Sequence, residues 1–210
     1  MTLPFTIAQF YDVFRGYNAA VWPAQVVLVA LALVAIGLVF FPGRRAAIGI
    51  SLILAFLWAW LALAYHLAFF ATINPLAYVF AAVSLAGAGV FVWHGVVRSH
   101  LVFRVTRTPR GVTGVLLVVF ALVGYPLWSM LAGHPWPDLP TFGLPCPTTL
   151  FTIGLLALLV EPYPKGTLVV PVLWSLVGAQ AAFLLDVHQD LSLIAAAAVG
   201  LGLIVRVQPR

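Results

Sequence analysis

The chain has 210 residues, 64% hydrophobic and 7% charged, with a mean hydropathy of +1.13 and a formal net charge of +5. A soluble domain carries about 25% charged residues because its surface faces water, so this composition excludes a water-soluble globular protein. The single cysteine, Cys146, excludes an intrachain disulfide, and the basic residues sort into alternate loops rather than into a nucleic-acid-binding patch.

Ahead of the first long apolar run, Phe5–Asn18 reads as an amphipathic helix. Thr6 with Gln9 three residues on fits a capping box, and Phe10, Phe14 and Tyr17 recur at helical spacing. We expect residues 1–19 to lie as an anchor in the membrane interface, with residues 20–210 as one membrane domain. Seven spans follow: Ala20–Phe41, Ala46–Phe69, Leu76–Val97, Val112–Ala132, Pro147–Val160, Thr167–Asp186 and Leu191–Val207. Trp22, Trp93, Trp128 and Trp136 fall near span ends, where amphipathic rings favour the headgroup level.

Charge supports this count. Arg44 and Arg45, then Arg98, Arg104, Arg107 and Arg110, then Lys165, and finally Arg206 and Arg210 fall at one set of span ends, against Arg15 alone at the other. Positive loops stay cytoplasmic. The expected fold is therefore an all-α integral membrane protein, a seven-helix bundle with its amino terminus outside and its carboxyl terminus in the cytoplasm of a bacterial inner membrane. The loop Arg98–Arg110 is either a topological determinant touching anionic lipid or a site for an anionic metabolite.

Small residues gather in span three (Ser84, Gly87, Ala88, Gly89), span six (Gly178, Ala179, Ala181, Ala182) and span seven (Ala195–Ala198, Gly200, Gly202). Low bulk lets helix backbones approach closely in lipid, so these spans are expected in the bundle interior or at a dimer face.

Phe142–Thr149, with Pro145 and Pro147, is the local anomaly. Pro147 suits a first helical position with Cys146 as its cap, and Pro147–Val160 is then only about 21 Å long against a hydrocarbon layer of about 30 Å. Two readings stay open: a plain helix start at the surface, or irregular backbone at membrane depth beside a cavity. In the second, Cys146, Thr148 and Thr149 line the cavity. His66 ends an apolar run and Gln180 sits in span six after Pro171, each either a functional group or a hydrogen-bonded anchor. Asp186, His188 and Asp190 read as a wet outer turn, with Asp186 and His188 near the cavity mouth. His66, His134, Asp138, Cys146 and this turn supply metal-binding residue types, but no metal-ligand spacing joins them.

Several chemistries are excluded. The only lysine, Lys165, falls in a loop, so no retinal Schiff base forms within the bundle. One cysteine argues against thiol–quinone exchange, and the Gly-x-Ser-x-Gly and His-Glu-x-x-His signatures are absent. No acid is expected at mid-membrane, which disfavours a carboxylate-driven proton pump. His66 and His94 fall toward opposite faces, against a bis-histidine haem.

The strings Phe5–Phe10, Tyr65–Phe70 with Ile73-Asn-Pro75, Phe142–Phe151 and Pro171–Leu191 together resemble the bacterial membrane proteins of domain-of-unknown-function family 6064. That resemblance implies a multi-pass membrane protein and carries over no activity and no site residue. The leading expectation is a small permease with an outward-facing polar pocket at the broken fifth span. It would be lined by Cys146, Thr148, Thr149, His66 and Gln180, with a small molecule or ion as substrate. The alternative is a non-transporting scaffold subunit of a larger membrane complex, whereas a lone monomer or a homo-oligomer fits the permease. No catalytic pair is visible at useful spacing, which places an enzyme last, and no cofactor is indicated.

Overall fold

A computed structural model describes residues 4–206, so Val207 and Arg210, assigned above to the last span and the tail, lie outside the described residues. Seven apolar helices follow one another: α1 (Ile7–Val39), α2 (Arg44–Thr72), α3 (Ala77–Val97), α4 (Pro109–Leu131), α5 (Pro145–Leu156), α6 (Gly166–Leu184) and α7 (His188–Val205). Six of them are long and apolar enough to cross a membrane, and α5, with 12 residues, is not. The described residues contain no strand, only isolated bridges such as Phe103–Leu159. Outward-facing residues such as Val26, Leu33, Val79, Leu116 and Leu173 are exposed, as a lipid-facing surface requires.

The boundary expected between an interfacial helix and the first span is absent. Ile7–Val39 is one helix of 33 residues, about 50 Å long. No glycine or proline falls between Tyr17 and Val21 to break it, and Pro23 is carried within it. The capping box does form: the Thr6 amide donates to Gln9 Oε1 (2.8 Å) and the Gln9 amide to Thr6 Oγ1 (3.2 Å). The face bearing Phe10, Phe14 and Tyr17 packs on Tyr65, Phe69 and Phe70 of α2 instead of lying against lipid. At about 30 Å of hydrocarbon, a 50 Å helix has its first turns to spare for this contact.

The long connection between α4 and α5 is tied down onto α1. Arg15 pairs with Asp138 (2.9 Å), and the Tyr11 ring stacks on His134 at 4.2 Å. Asn18, fully buried, donates to the carbonyls of Pro137 (2.6 Å) and Leu139 (2.7 Å) and accepts from Gln25 and Thr141. Replacing Asn18 with Ala leaves the Pro137 and Leu139 carbonyls and the Thr141 hydroxyl without this partner, at about 2 kcal/mol. The expected result is a clear fall in the Tm of the detergent-solubilised protein and faster proteolysis within residues 133–144. An unchanged Tm would show that the clamp is dispensable.

Clamped this way, the chain turns inward before α5 begins. Phe142, Gly143 and Leu144 are buried, and Gly143 takes φ +101°, where a methyl group would strike Leu28. The helix starts earlier than expected, with Leu144 at the cap and Pro145 in the first helical position. Both prolines thus fall in the first turn, where a missing amide costs nothing. Apart from half-buried Cys146, every residue of α5 is buried, and it packs against α2, α4, α6 and α7. At about 18 Å it is a half-length helix enclosed by the others, shorter still than the Pro147–Val160 expected, so six helices rather than seven are long enough to cross.

Small residues do mark the interior seam of α3, α6 and α7. A methyl on Gly87 would meet Val170, one on Gly178 would meet Leu193, and one on Gly200 would meet Val172. Gly89 and Gly202 instead face open space. At the other end of the bundle Arg44 donates to Ser99, and Arg110 and Arg206 both reach Glu161. This end holds the basic loops, opposite to the Arg15–Asp138 contact.

Candidate functional site

His66 lies in a π-helical turn of α2, Leu61–Leu67, and Tyr125 follows a second one in α4, Phe120–Gly124. Such wide turns shift a helix's side chains out of α register and recur at functional sites. Here they bring His66 and Tyr125 toward the start of α5. The half-length of α5 leaves room above its first turn, and a cavity of about 160 Å³ occupies it.

The polar groups of this cavity are few. His66 is 1% exposed, and neither imidazole nitrogen has a hydrogen-bond partner among the described residues. Its ring lies 4.9 Å from that of Trp174 and 5.8 Å from that of Phe80. The Trp174 indole N–H also lacks a partner among the described residues. Asp190, at the start of α7, is 1% exposed; its Oδ1 accepts from the Tyr125 hydroxyl at 2.5 Å and its Oδ2 from Cys146 Sγ at 3.4 Å. Phe10, Phe14, Phe70 and Phe80 supply aromatic wall, and Gln180 stands exposed at the rim, where α6 is interrupted.

Three of the seven residues singled out in the sequence therefore share one wall: Cys146, His66 and Gln180. Thr148 and Thr149 are fully buried in the packing of α5, away from the cavity. At about 1.5 Å per residue they stand about 4–6 Å deeper along α5 than Pro145, below the first turn over which the cavity lies. Asp186 and His188 form an exposed pair (3.3 Å) one step beyond Leu185, which does line the cavity.

Asp190 is the residue that the sequence reading misplaced. Reading the whole turn from Asp186 to Asp190 as wet ignores that Gln189 and Asp190 are both 1% exposed. The signal was present: Asp190, Leu193 and Ala197 recur at i, i+3 and i+7, and Leu193 and Ala197 are on the buried face of α7. Among the described residues no three His, Cys, Asp or Glu side chains gather closely enough to hold a metal ion.

A bundle of apolar helices long enough to cross a membrane, with one enclosed half-length helix and a pocket above it, defines a multi-pass helical membrane protein. The chain belongs to the family of unknown function DUF6064, whose model matches residues 7–210. Comparison with curated proteins and with solved structures gives no match.

Proposed function

We propose that the protein is a small permease whose substrate enters the cavity above α5. The observation that carries this reading is the polar set gathered on one wall of that cavity. Among the described residues, His66 with two unpartnered nitrogens, Trp174 with an unpartnered N–H, and Asp190 all border space left by a helix too short to span. Buried polar groups are normally satisfied, and intramembrane polar residues that face a cavity mark substrate paths. Broken or half-length helices are a recurrent way to build such sites.

The positive-inside rule orients the bundle. With the basic loops in the cytoplasm, the amino terminus is outside, the carboxyl terminus inside, and the cavity belongs to the outer half of a bacterial inner membrane. Since Cys146 is the only cysteine, labelling tests this directly. In intact cells, a membrane-impermeant methanethiosulfonate is expected to modify Cys146 from outside, and His66→Trp, which fills the cavity, is expected to slow the reaction. Labelling only after the cells are opened would overturn the orientation, and no labelling at all would overturn the accessible pocket. Purification in mild detergent separates this reading from a scaffold subunit: a stoichiometric protein partner would favour the scaffold.

A further inference from the structure

Among the described residues Asp190 is the one acid on the cavity wall, and no lysine or arginine lines it. Among the described residues the carboxyl group has no ion-pair partner, and its hydrogen bonds come from the neutral donors Tyr125 and Cys146. A carboxylate removed from water is costly unless a proton or a positive charge compensates it. Much of the rest of the wall is aromatic, with Phe10, Phe70, Phe80 and Trp174 among aliphatic residues, and ring faces attract organic cations more strongly as the site is desolvated, tryptophan most of all.

Size and chemistry narrow the occupant further. An apolar cavity of about 150 Å³ holds a molecule the size of benzene, and this one is about 160 Å³. Hydrated inorganic cations demand several oxygen ligands, which a wall of phenyl rings with one carboxyl group does not offer. An anion would meet Asp190 and no positive side chain. The free indole N–H of Trp174 and the two free nitrogens of His66 are suited to an oxygen function on the same ligand.

We infer that the cavity takes a small organic ammonium ion bearing a hydroxyl or carbonyl oxygen. The ammonium group sits between Asp190 and the aromatic walls, with the oxygen toward Trp174 and His66. This rests on the cavity being the substrate site and adds the substrate's chemical class.

The test uses the full chain in lipid nanodiscs and three ligands of one shape. Choline carries the charge, 3,3-dimethyl-1-butanol is its uncharged isostere, and 3,3-dimethylbutanoate is an anion. Titration calorimetry is expected to show choline binding roughly tenfold or more tighter than the alcohol, with no binding of the butanoate. Asp190→Asn is expected to abolish the preference while leaving alcohol binding intact. If that variant does not fold, the three wild-type affinities decide the matter alone. Equal or tighter binding of the alcohol or the butanoate overturns the inference. So does failure of choline together with a series from methylammonium to benzyltrimethylammonium. Choline binding without uptake into proteoliposomes would leave the inference standing and overturn the permease. Saturable butanoate uptake would do the reverse.

Discussion

Arg110→Ala is expected to destabilise the protein by about 3 kcal/mol, because it strips Glu161 of its nearer partner, leaving only the half-exposed Arg206, and leaves two carbonyls without a donor. Arg110 opens α4, and its guanidinium ties that helix to the single stretch of chain that leaves α5. Nε donates to the Ala157 carbonyl (2.9 Å), one terminal nitrogen donates to the Leu159 carbonyl (2.5 Å), and the other pairs with Glu161 at 2.8 Å. The group also lies 5.0 Å from the Tyr163 ring centroid. Both charged side chains are less than a fifth exposed. The carbonyls it caps lie just beyond the end of α5 at Leu156. Lysine cannot reproduce the fork, so Arg110→Lys is expected to recover only part of the loss. Arg206 offers the internal contrast: it reaches Glu161 at 3.5 Å but is more than half exposed, so Arg206→Ala is expected to cost about 1 kcal/mol or less. Thermal melting of the three variants in one detergent checks the order. Equal effects at Arg110 and Arg206 would show that the fork does not hold the end of α5.

Arg110 also illustrates where sequence reading stops. Its place in a basic loop was legible, because charge in a membrane protein is expelled to span ends. Its role as a clamp was not, since the acceptors are backbone carbonyls, which leave no trace in residue identity. The span-length helices were legible for the same reason that the basic loops were: a lipid-facing helix must be apolar throughout, and breaks at Pro42-Gly43, Asn74-Pro75 and Pro162 punctuate the runs. Two features escaped. The α1 boundary was drawn where polarity changes at Asn18, yet Asn18 is buried by partners more than a hundred residues away in the chain. Asp190 was read as solvated because its neighbours Asp186 and His188 are. In both cases a polar residue was satisfied by tertiary contact, and local composition does not reveal that.

Cys146, His66 and Gln180 were legible as candidates for a different reason. Each is a polar group in a run otherwise free of them, so each demands a partner or a cavity. Thr148 and Thr149 looked alike in sequence but have a second option open to helical hydroxyls, burial within the packing of their own bundle. Choosing between these outcomes needed the depth at which α5 begins, and it begins two residues earlier than the sequence suggested, which leaves both threonines below its first residues.

Gly154→Val is expected to abolish the folded state or leave it barely stable. The α4 and α5 backbones meet at Gly114 and Gly154. A methyl on Gly154 would stand 2.8 Å from the Gly114 carbonyl oxygen and 2.9 Å from the Val118 amide nitrogen, and a methyl on Gly114 would stand 2.7 Å from the Gly154 carbonyl oxygen. The obstacles are backbone atoms, which no rotamer change removes, so the helices must separate. Alanine there is expected to cost about 1–3 kcal/mol, and the larger valine more. Gly89 and Gly202 have nothing within 4 Å, so their alanine variants are expected to melt within about 0.5 kcal/mol of the parent. The effect reaches the cavity, because α4 carries Tyr125 and α5 carries Cys146, both hydrogen-bonded to Asp190. Prising the helices apart loosens that three-residue join. Gly154→Ala, if it folds, is therefore expected to raise the rate of Cys146 thiol labelling, whereas Gly89→Ala leaves it unchanged. A Gly154→Val protein that melts with the parent and labels at the parent's rate would show that α4 and α5 do not meet at these glycines.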